Sequence, residues 1–397
     1  MKSICLIFLL GSLILLSSVF LMGCAQGDEQ PAESANPTGE YVYAGTFEGE
    51  GSEGLYVFEL NREDFSLHHI QTVADRTGPN FQAIHPDKQY LYSVGDDPFN
   101  ENEPFGTLSA YQINQENGML ELINEQSVQG RNTAHVSVDP MGEFVYVSNY
   151  TEGNVVMFRV LDGGGISEAI DSQQHEGSSI NENRQNGPHV HQAVPSADGR
   201  FLYVSDLGID KIMIYEIDRE DGKLVSAATP WFESEPGSGP RHMALHPSGE
   251  FAYSNEELTV TVTALAVDEQ TGALSQIQRL SMLPEGVERE NSMSGADIHV
   301  SPDGEFLYAS VRGENLLAVY EIDQTTGQLT LVEHVSTEGG HPRNFMVDEK
   351  GDFVIVANRD SDHIVVFDRN SETGGLTFTG TEAEVPVAVC VTQLILD

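Results

Sequence analysis

Arginine is scarce in this chain, yet four of its fourteen arginines occupy equivalent points of a repeated pattern. Arg241 and Arg343 lie six residues before a repeated turn, and Arg312 and Arg359 follow the strand after that turn, while Arg184 lies further upstream. A planar, permanently charged guanidinium binds carboxylate or phosphate well. These positions predict an anion-binding site. The alternative is that the arginines pair with Asp297, Glu257 and Glu256 and link structural units.

Histidines accompany the arginines. His191 lies at the equivalent of the Arg241 position, with His189 just before it and His135 at a neighbouring offset. A neutral imidazole can accept or relay a proton near pH 7, although it can equally orient a backbone carbonyl. We expect no metal and no cofactor, because no further ligands accompany the His-x-His pair. His85 and His246 precede the turn proline and are expected to be structural.

The elements that must position these residues form a repeat of a Gly-containing turn followed by an apolar strand. Six copies start 47 to 57 residues apart. They are HPDKQYLYSVGD (85–96), DPMGEFVYVSNY (139–150), SADGRFLYVSDL (196–207), HPSGEFAYSNEE (246–257), SPDGEFLYASVR (301–312) and DEKGDFVIVANR (348–359), and the strand beginning at residue 41 forms a seventh copy without its turn.

A period near fifty residues, filled with short strands and turns, is typical of a β-propeller. We therefore predict an all-β fold, a seven-bladed propeller of four-stranded antiparallel blades. The strand near 41–47 lacks an inner partner and the segment 387–396 is a spare strand, so pairing of the two chain ends should close the ring. In a propeller the start of the first strand and the end of the second share one face, where the predicted site residues should converge.

The charge is strongly one-sided, with 62 acidic against 19 basic residues. This balance argues against binding to nucleic acid or to an anionic membrane surface. Acidic residues spread along a chain with few lysines favour adaptation to high salt, and an acidic partner-binding surface is the alternative.

The N-terminal residues are predicted to be a processing segment. Residues 1–23 resemble a lipoprotein signal peptide, Cys24 would carry the lipid, and residues 24–39 would form a tether to a propeller domain at 40–397. The alternative is an uncleaved anchor helix. Either way we expect an exported protein attached to a membrane. Cys390 would have no disulfide partner in the mature chain.

The chain resembles the lactonase family of seven-bladed propellers, which includes bacterial 6-phosphogluconolactonases and fungal carboxy-cis,cis-muconate lactonizing enzymes. The likeness covers about residues 40–397 and is carried by GPHVHQAVPSADGRFLYVSDLGIDKIMIYEID (187–218), GSGPRHMALHPSGEFAYSNEEL (237–258) and HPRNFMVDEKGDFVIVANRDSDHIVVF (341–367). The resemblance implies a catalytic group of one histidine, two arginines and a glutamate. These are His191, Arg241, Arg312 and Glu257, the same residues that the repeat offsets bring to one face.

Two residues depart from the family pattern. Glu256 stands where asparagine is usual, and Glu314 follows Val311-Arg312-Gly313 where histidine is usual. Both carboxylates are close enough in sequence to neutralise the site arginines.

These features predict hydrolysis of an anionic, sugar-type lactone, with Glu257 or His191 as general base and Arg241 and Arg312 holding the substrate. Further substrate contacts are expected from Arg184, His189, His135 and Arg343. A non-catalytic propeller that binds a carboxylate ligand is the alternative, and a lactone-forming cyclase is a weaker one. An exported location argues against cytoplasmic 6-phosphogluconolactone as the substrate.

Overall fold

The computed structural model describes residues 38–49, 51–74, 78–96 and 105–396. They form seven four-stranded antiparallel sheets, so the predicted all-β, seven-bladed propeller is confirmed. The predicted signal segment, Cys24 and residues 25–37 of the predicted tether lie outside the described residues.

Each blade runs from an inner strand at the channel to an outer edge strand. Blade 1 contains β4 (Phe81–Ile84), β5 (Tyr90–Gly95), β6 (Thr107–Ile113) and β7 (Leu120–Ser127); blade 2 contains β8 (Thr133–Val138), β9 (Phe144–Asn149), β10 (Asn154–Val160) and β11 (Ile166–Gln174); blade 3 contains β12 (Val190–Pro195), β13 (Phe201–Asp206), β14 (Lys211–Asp218) and β15 (Lys223–Glu233). Blade 4 contains β16 (Pro240–Leu245), β17 (Phe251–Glu256), β18 (Thr261–Val267) and β19 (Leu274–Ser281); blade 5 contains β20 (Ser294–Val300), β21 (Phe306–Arg312), β22 (Leu316–Ile322) and β23 (Leu329–Ser336); blade 6 contains β24 (Pro342–Val347), β25 (Phe353–Asn358), β26 (His363–Arg369) and β27 (Leu376–Glu384), with a short 3₁₀ helix at Arg359–Ser361.

Blade 7 is built from both ends of the chain. Its strands are β28 (Ala388–Ile395), β1 (Glu40–Thr46), β2 (Gly54–Leu60) and β3 (Leu67–Ala74), in that order from the channel outward. The C-terminal strand β28 pairs antiparallel with β1, from Glu40 opposite Ile395 to Thr46 opposite Ala388. The predicted ring closure is therefore confirmed.

The core lies between blades, and the repeat motif explains how neighbouring blades fit together. In four blades the tyrosine of the second strand donates a hydrogen bond to a glycine carbonyl in the next blade's outer turn, as in Tyr308 Oη to Gly374 O (2.8 Å) and Tyr43 Oη to Gly118 O (2.8 Å). The aromatic residue two positions earlier packs against the same glycine, where a Cβ would enter the ring, as at Gly374 beside Phe306. The aromatic-x-Tyr motif is thus an inter-blade joint.

The histidines before the turn proline have a matching role on the turn face. His85 Nε2 and His246 Nε2 lie 3.0 and 2.9 Å from the carbonyl oxygens of Gly142 and Gly304, each in the next blade. These contacts agree with the structural role predicted for both histidines.

An ion-pair cluster fastens blade 7 to blade 6. Arg62, between β2 and β3, contacts Glu40 Oε2 (2.8 Å) at the start of β1 and Asp348 Oδ1 (2.7 Å) after β24. Lys350 Nζ adds a contact of 2.9 Å to Glu40. Burial opposes ionisation of both carboxylates, but Arg62, with Lys350 at Glu40, holds the pKa of Glu40 and of Asp348 below their ordinary values.

We expect Arg62→Gln to lower the melting temperature at neutral pH and to lose this effect in acid. A carboxyl whose folded pKa is depressed contributes stability above its unfolded pKa, near 4, and that contribution disappears as the pH falls through the folded value. Melting curves of both proteins between pH 7 and pH 3 check this. A melting-temperature difference that stays constant over the range would contradict it.

Candidate active site

A β-bulge recurs at the start of the inner strands and positions three of the site residues. In six blades the register with the second strand shifts at this point, which inserts an extra residue and re-aims its side chain. The extra residues are Ala134, His191, Arg241, Ala296 with Asp297, Arg343 and Val389. Three of them are therefore the predicted site residues His191, Arg241 and Arg343.

Glu257, immediately after β17, is the centre of the site. Its Oε2 lies 3.2 Å from Arg241 Nε and 2.9 Å from Arg312 Nη2, and its Oε1 accepts a hydrogen bond from Arg184 Nη2. Only 4% of Glu257 is exposed. The structure thus brings Glu257 together with three of the predicted arginines, which come from two blades and from the loop between β11 and β12.

Arg241 and Arg312 are also tied to the backbone of blade 5. Arg241 Nη1 donates to Ala296 O (2.6 Å) and Arg312 Nη2 donates to Gly295 O (2.5 Å). Both arginines are buried; Arg241 Nε lies 3.2 Å from Glu257 Oε2, whereas the enclosed Nε–H of Arg312 makes no hydrogen bond. Since an unsatisfied buried donor is costly, this unused N–H group beside a carboxylate makes the cluster a candidate binding site. The linking role considered for the arginines is therefore real, but it leaves one donor of Arg312 unused.

The neighbouring arginines keep the Glu257 side chain ionised. Burial raises the pKa of Glu257, but the guanidinium groups of Arg312, Arg241 and Arg184 outweigh burial and bring that pKa below its ordinary value. Glu257 is therefore a carboxylate at all physiological pH values. One carboxylate beside three arginines leaves an excess of positive charge, which favours an anionic ligand.

Arg343 adds to this excess. Its guanidinium lies over the Phe47 ring, with Cζ 4.7 Å from the ring centroid, and no carboxylate among the described residues pairs with it. Burial and the neighbouring Arg312 lower the pKa of Arg343 to about 10, so it remains a cation at neutral pH. Arg343 is partly exposed, and 42% of the Arg184 side chain is exposed. These two arginines are more exposed than Arg241 and Arg312.

Two of the predicted histidines flank the arginine cluster. The His189 ring stacks on Tyr150, with centroids 4.4 Å apart, and its Nδ1 lies 2.9 Å from Tyr150 O. The His191 ring meets the edge of Tyr150 at 5.7 Å, and Tyr150 Oη accepts a hydrogen bond of 3.3 Å from Arg184. Burial and the positive charge of Arg241 hold the pKa of His191 well below its usual range, so this imidazole is neutral.

Two aspartates that the sequence did not single out hold the loop that carries Arg184. Asp206 accepts hydrogen bonds from the backbone N–H of His189 (2.7 Å) and from the side chain of His175 (2.7 Å). Asp210 accepts from Ser179 and from the backbone of Gly239, which joins this loop to the segment before Arg241. Neither aspartate has a distinctive sequence signature, because its partners are distant in the chain.

His135 lies beside His242, with the two rings 5.6 Å apart between centroids. Its ring packs on Phe81 at 4.3 Å and lines a channel cavity of about 300 Å³ that also borders Gln192, Asp297 and Asn344. The structure therefore separates His135 from the Glu257 centre while leaving it on the same channel.

The two departures from the family pattern do not neutralise the site. Glu256 points away from it and pairs with Arg279 (2.7 Å), Thr261 and Thr263. Glu314 takes part in none of the ion pairs in the described ranges. The expectation that either would neutralise Arg241 or Arg312 is wrong, because Arg279, on β19, provides a separate partner for Glu256.

The described residues contain no set of three or more histidine, cysteine or carboxylate side chains arranged to hold a metal ion. No helix in those same ranges has the length and apolar character needed to span a bilayer.

The described residues thus combine a seven-bladed ring with an arginine-bound carboxylate. The chain belongs to the lactonase family of seven-bladed β-propellers, whose model matches residues 41–393.

Individual relatives cover almost all of the propeller. The chain is 37% identical to a 6-phosphogluconolactonase of Bacillus subtilis over 88% of its length and 97% of the relative's. It is 34% identical to a 6-phosphogluconolactonase of Formosa agariphila, over 84% and 94% respectively. Among solved structures, the periplasmic gluconolactonase of Pseudomonas aeruginosa matches with a TM-score of 0.83 and 29% identity, covering 90% of this chain and all of that one.

Proposed function

We propose that this protein hydrolyses a sugar-type lactone at the Glu257 centre. The observation that carries the proposal is the buried Glu257 carboxylate bound by Arg184, Arg241 and Arg312 at the channel mouth of a lactonase-family propeller. The names of the relatives, 6-phosphogluconolactonase and gluconolactonase, support the same reaction class.

The geometry favours His191 over Glu257 as the proton acceptor. Glu257 is bound by three cations, which stabilise its charged form and make it a poor base. His191 is neutral, and its Nε2 is not enclosed as its Nδ1 is. Glu257 therefore serves to hold the arginines in place.

The reaction then proceeds in two steps. A water oxygen bonds to the lactone carbonyl carbon while His191 Nε2 takes one water proton, and the negative charge that develops on the carbonyl oxygen is stabilised by Arg241 and Arg312. The ring C–O bond then breaks, and the ring oxygen leaves with the proton from His191. The product is an open-chain hydroxy acid, which releases its own acidic proton to solvent.

The remaining predicted residues are assigned to substrate binding. Arg343 and Arg184 are the more exposed cations of the cluster and would hold an anionic substituent, carboxylate or phosphate, on the lactone. His189, with Nδ1 against Tyr150 O, has Nε2 left for a sugar hydroxyl. His135 would contact the part of the substrate that enters the channel.

The proposal is tested by measuring acid release from purified protein with neutral and anionic aldonolactones, at low and high salt. We expect hydrolysis faster than the spontaneous rate for at least one of them. Rates equal to the spontaneous rate for every lactone would overturn the proposal.

We also propose that the mature protein is exported and lipid-anchored at Cys24. The lipoprotein-like Leu21-Met22-Gly23-Cys24 sequence and the periplasmic location in a relative's name support this. An exported enzyme would act on lactones formed outside the cytoplasm. Labelling of expressing cells with radioactive palmitate should mark the wild-type protein but not Cys24→Ser, and equal labelling of both would contradict lipidation at this residue.

A further inference from the structure

A second buried carboxylate, Asp297, binds the histidine that follows Arg241 in the chain. Asp297, in the β20 bulge, accepts from His242 Nδ1 at 2.7 Å and from Asn344 Nδ2 at 2.5 Å. His242 directly follows Arg241, and both His242 and Asp297 are nearly inaccessible to solvent. Nδ1 of His242 carries the proton and donates the hydrogen bond to Asp297. Its Nε2 is therefore left as an acceptor.

That acceptor has no partner, and neither does Nδ1 of the neighbouring His191. His242 Nε2 and His191 Nδ1 are both enclosed and lack hydrogen bonds, and the two rings are 5.0 Å apart between centroids. A small ring rotation or one water molecule would join them. Two unpartnered buried nitrogens so close together indicate an interaction that forms in the working enzyme.

The surroundings of His242 leave few other partners for its Nε2. Besides Asp297 and His191, the groups that face it are the cations Arg241 and Arg343, the ring of Phe81 at 5.9 Å, and His135 at 5.6 Å. The phenyl ring has no N–H to donate, Arg241 is already bonded to Ala296 O and paired with Glu257, and the Arg343 guanidinium lies over the Phe47 ring. His135 also has an unpartnered Nδ1, but its ring is farther away than that of His191.

We propose that Asp297 and His242 position His191 through an Asp–His–His relay. Asp297 fixes the His242 proton on Nδ1, His242 Nε2 accepts from His191 Nδ1–H, and His191 Nε2 is thereby kept as the lone pair that faces water and substrate. Asp297 and His242 transfer no proton during the reaction. Their function is to select one tautomer of His191. The inference rests on the proposed role of His191 in lactone hydrolysis.

The test combines kinetics with ¹⁵N NMR of histidine-labelled protein. Asparagine at 297 can present an amide donor to His242 and reverse its tautomer, so we expect Asp297→Asn to lower kcat by about 100-fold or more with KM changed less than about 3-fold. The ¹⁵N shifts of His191, assigned by loss of its signals in His191→Gln, should report an Nδ1–H tautomer in the wild type and a mixed or reversed one in Asp297→Asn.

His299→Gln is the matched control. His299 Nε2 contacts the other oxygen of Asp297 (2.9 Å) and is partly exposed, so its loss removes one partner of Asp297 without interrupting the relay. We expect kcat within about 3-fold of wild type. If Asp297→Asn does not fold, kcat and the His191 tautomer are measured in His242→Phe instead, with the same expected changes. An unchanged His191 tautomer in the folded variant would overturn the inference whatever happens to the rate, and because the tautomer is measured without substrate, this result is separate from the test of lactonase activity.

Discussion

Glu257→Gln is expected to lower kcat for lactone hydrolysis by about 100-fold or more, the range seen when a preorganised electrostatic group is lost. The carboxylate orients Arg241 and Arg312 and offsets their charge, whereas an amide leaves three guanidinium groups facing one another. Breaking a buried ion pair by removing one partner typically costs about 3–5 kcal/mol, so the variant should also melt at a lower temperature. Initial rates taken well below the melting transition separate the two effects.

Glu256→Gln is the control that the chain itself provides. Glu256 is the preceding residue, is equally buried, and also pairs with an arginine, Arg279, but outside the site. We expect a comparable loss of thermal stability with kcat within about 3-fold of wild type. If Glu256→Gln reduced kcat as severely as Glu257→Gln, the effect at Glu257 would reflect general destabilisation, and the assignment of the centre would be wrong.

Arg343→Gln should change substrate preference. Arg343 is partly exposed and has no carboxylate partner among the described residues, so it is available to an anionic substituent. A charge-assisted hydrogen bond contributes about 1.5–3 kcal/mol, which corresponds to a loss of about 10- to 100-fold in kcat/KM for an anionic lactone. For a neutral lactone of the same ring we expect little change.

The ratio of kcat/KM for gluconolactone 6-phosphate and for unsubstituted gluconolactone measures this preference. Arg359→Gln is the control, since Arg359 follows β25 on the same face but its Nε is bonded to Asp360 at 2.7 Å. The ratio should fall in Arg343→Gln and remain near the wild-type value in Arg359→Gln. Equal losses for both lactones in Arg343→Gln would contradict anion recognition by this residue.

The fold could be predicted from the sequence because each blade repeats the same pattern of turn and strand. The aromatic-x-Tyr strand and the glycine turn recur because four of the seven inter-blade joints use a tyrosine hydroxyl that donates to the carbonyl of a glycine without Cβ, as at Tyr308 and Gly374. The unpaired strands at the two ends could be matched because an open sheet edge needs a partner. Repetition therefore predicted the number of blades and the closure of the ring.

Only part of the candidate site could be predicted from the sequence. Offsets from the turn placed Glu257, Arg241 and Arg312 on one face, and the structure brings them into contact. The offsets could not show that Glu256 points outward to Arg279, because that depends on which side of strand β17 each of two adjacent carboxylates occupies.

The inner-strand bulges were also hidden from the sequence. A bulge inserts one residue without a fixed residue type, so alternation along the strand does not reveal it. For the same reason Asp297 was read only as a possible partner for the arginines, whereas its contacts run to His242, His299 and Asn344.

The central claim is that the Glu257–arginine centre catalyses lactone hydrolysis. The most direct measurement is acid release at constant pH from wild type and Glu257→Gln, with gluconolactone and its 6-phosphate as substrates and the spontaneous rate subtracted. The account predicts enzyme-dependent hydrolysis by the wild type that is almost abolished in the folded Glu257→Gln protein. Hydrolysis of equal rate in both proteins would contradict the claim, and binding of these lactones by the wild type without any acid release would identify the propeller as a ligand-binding protein instead.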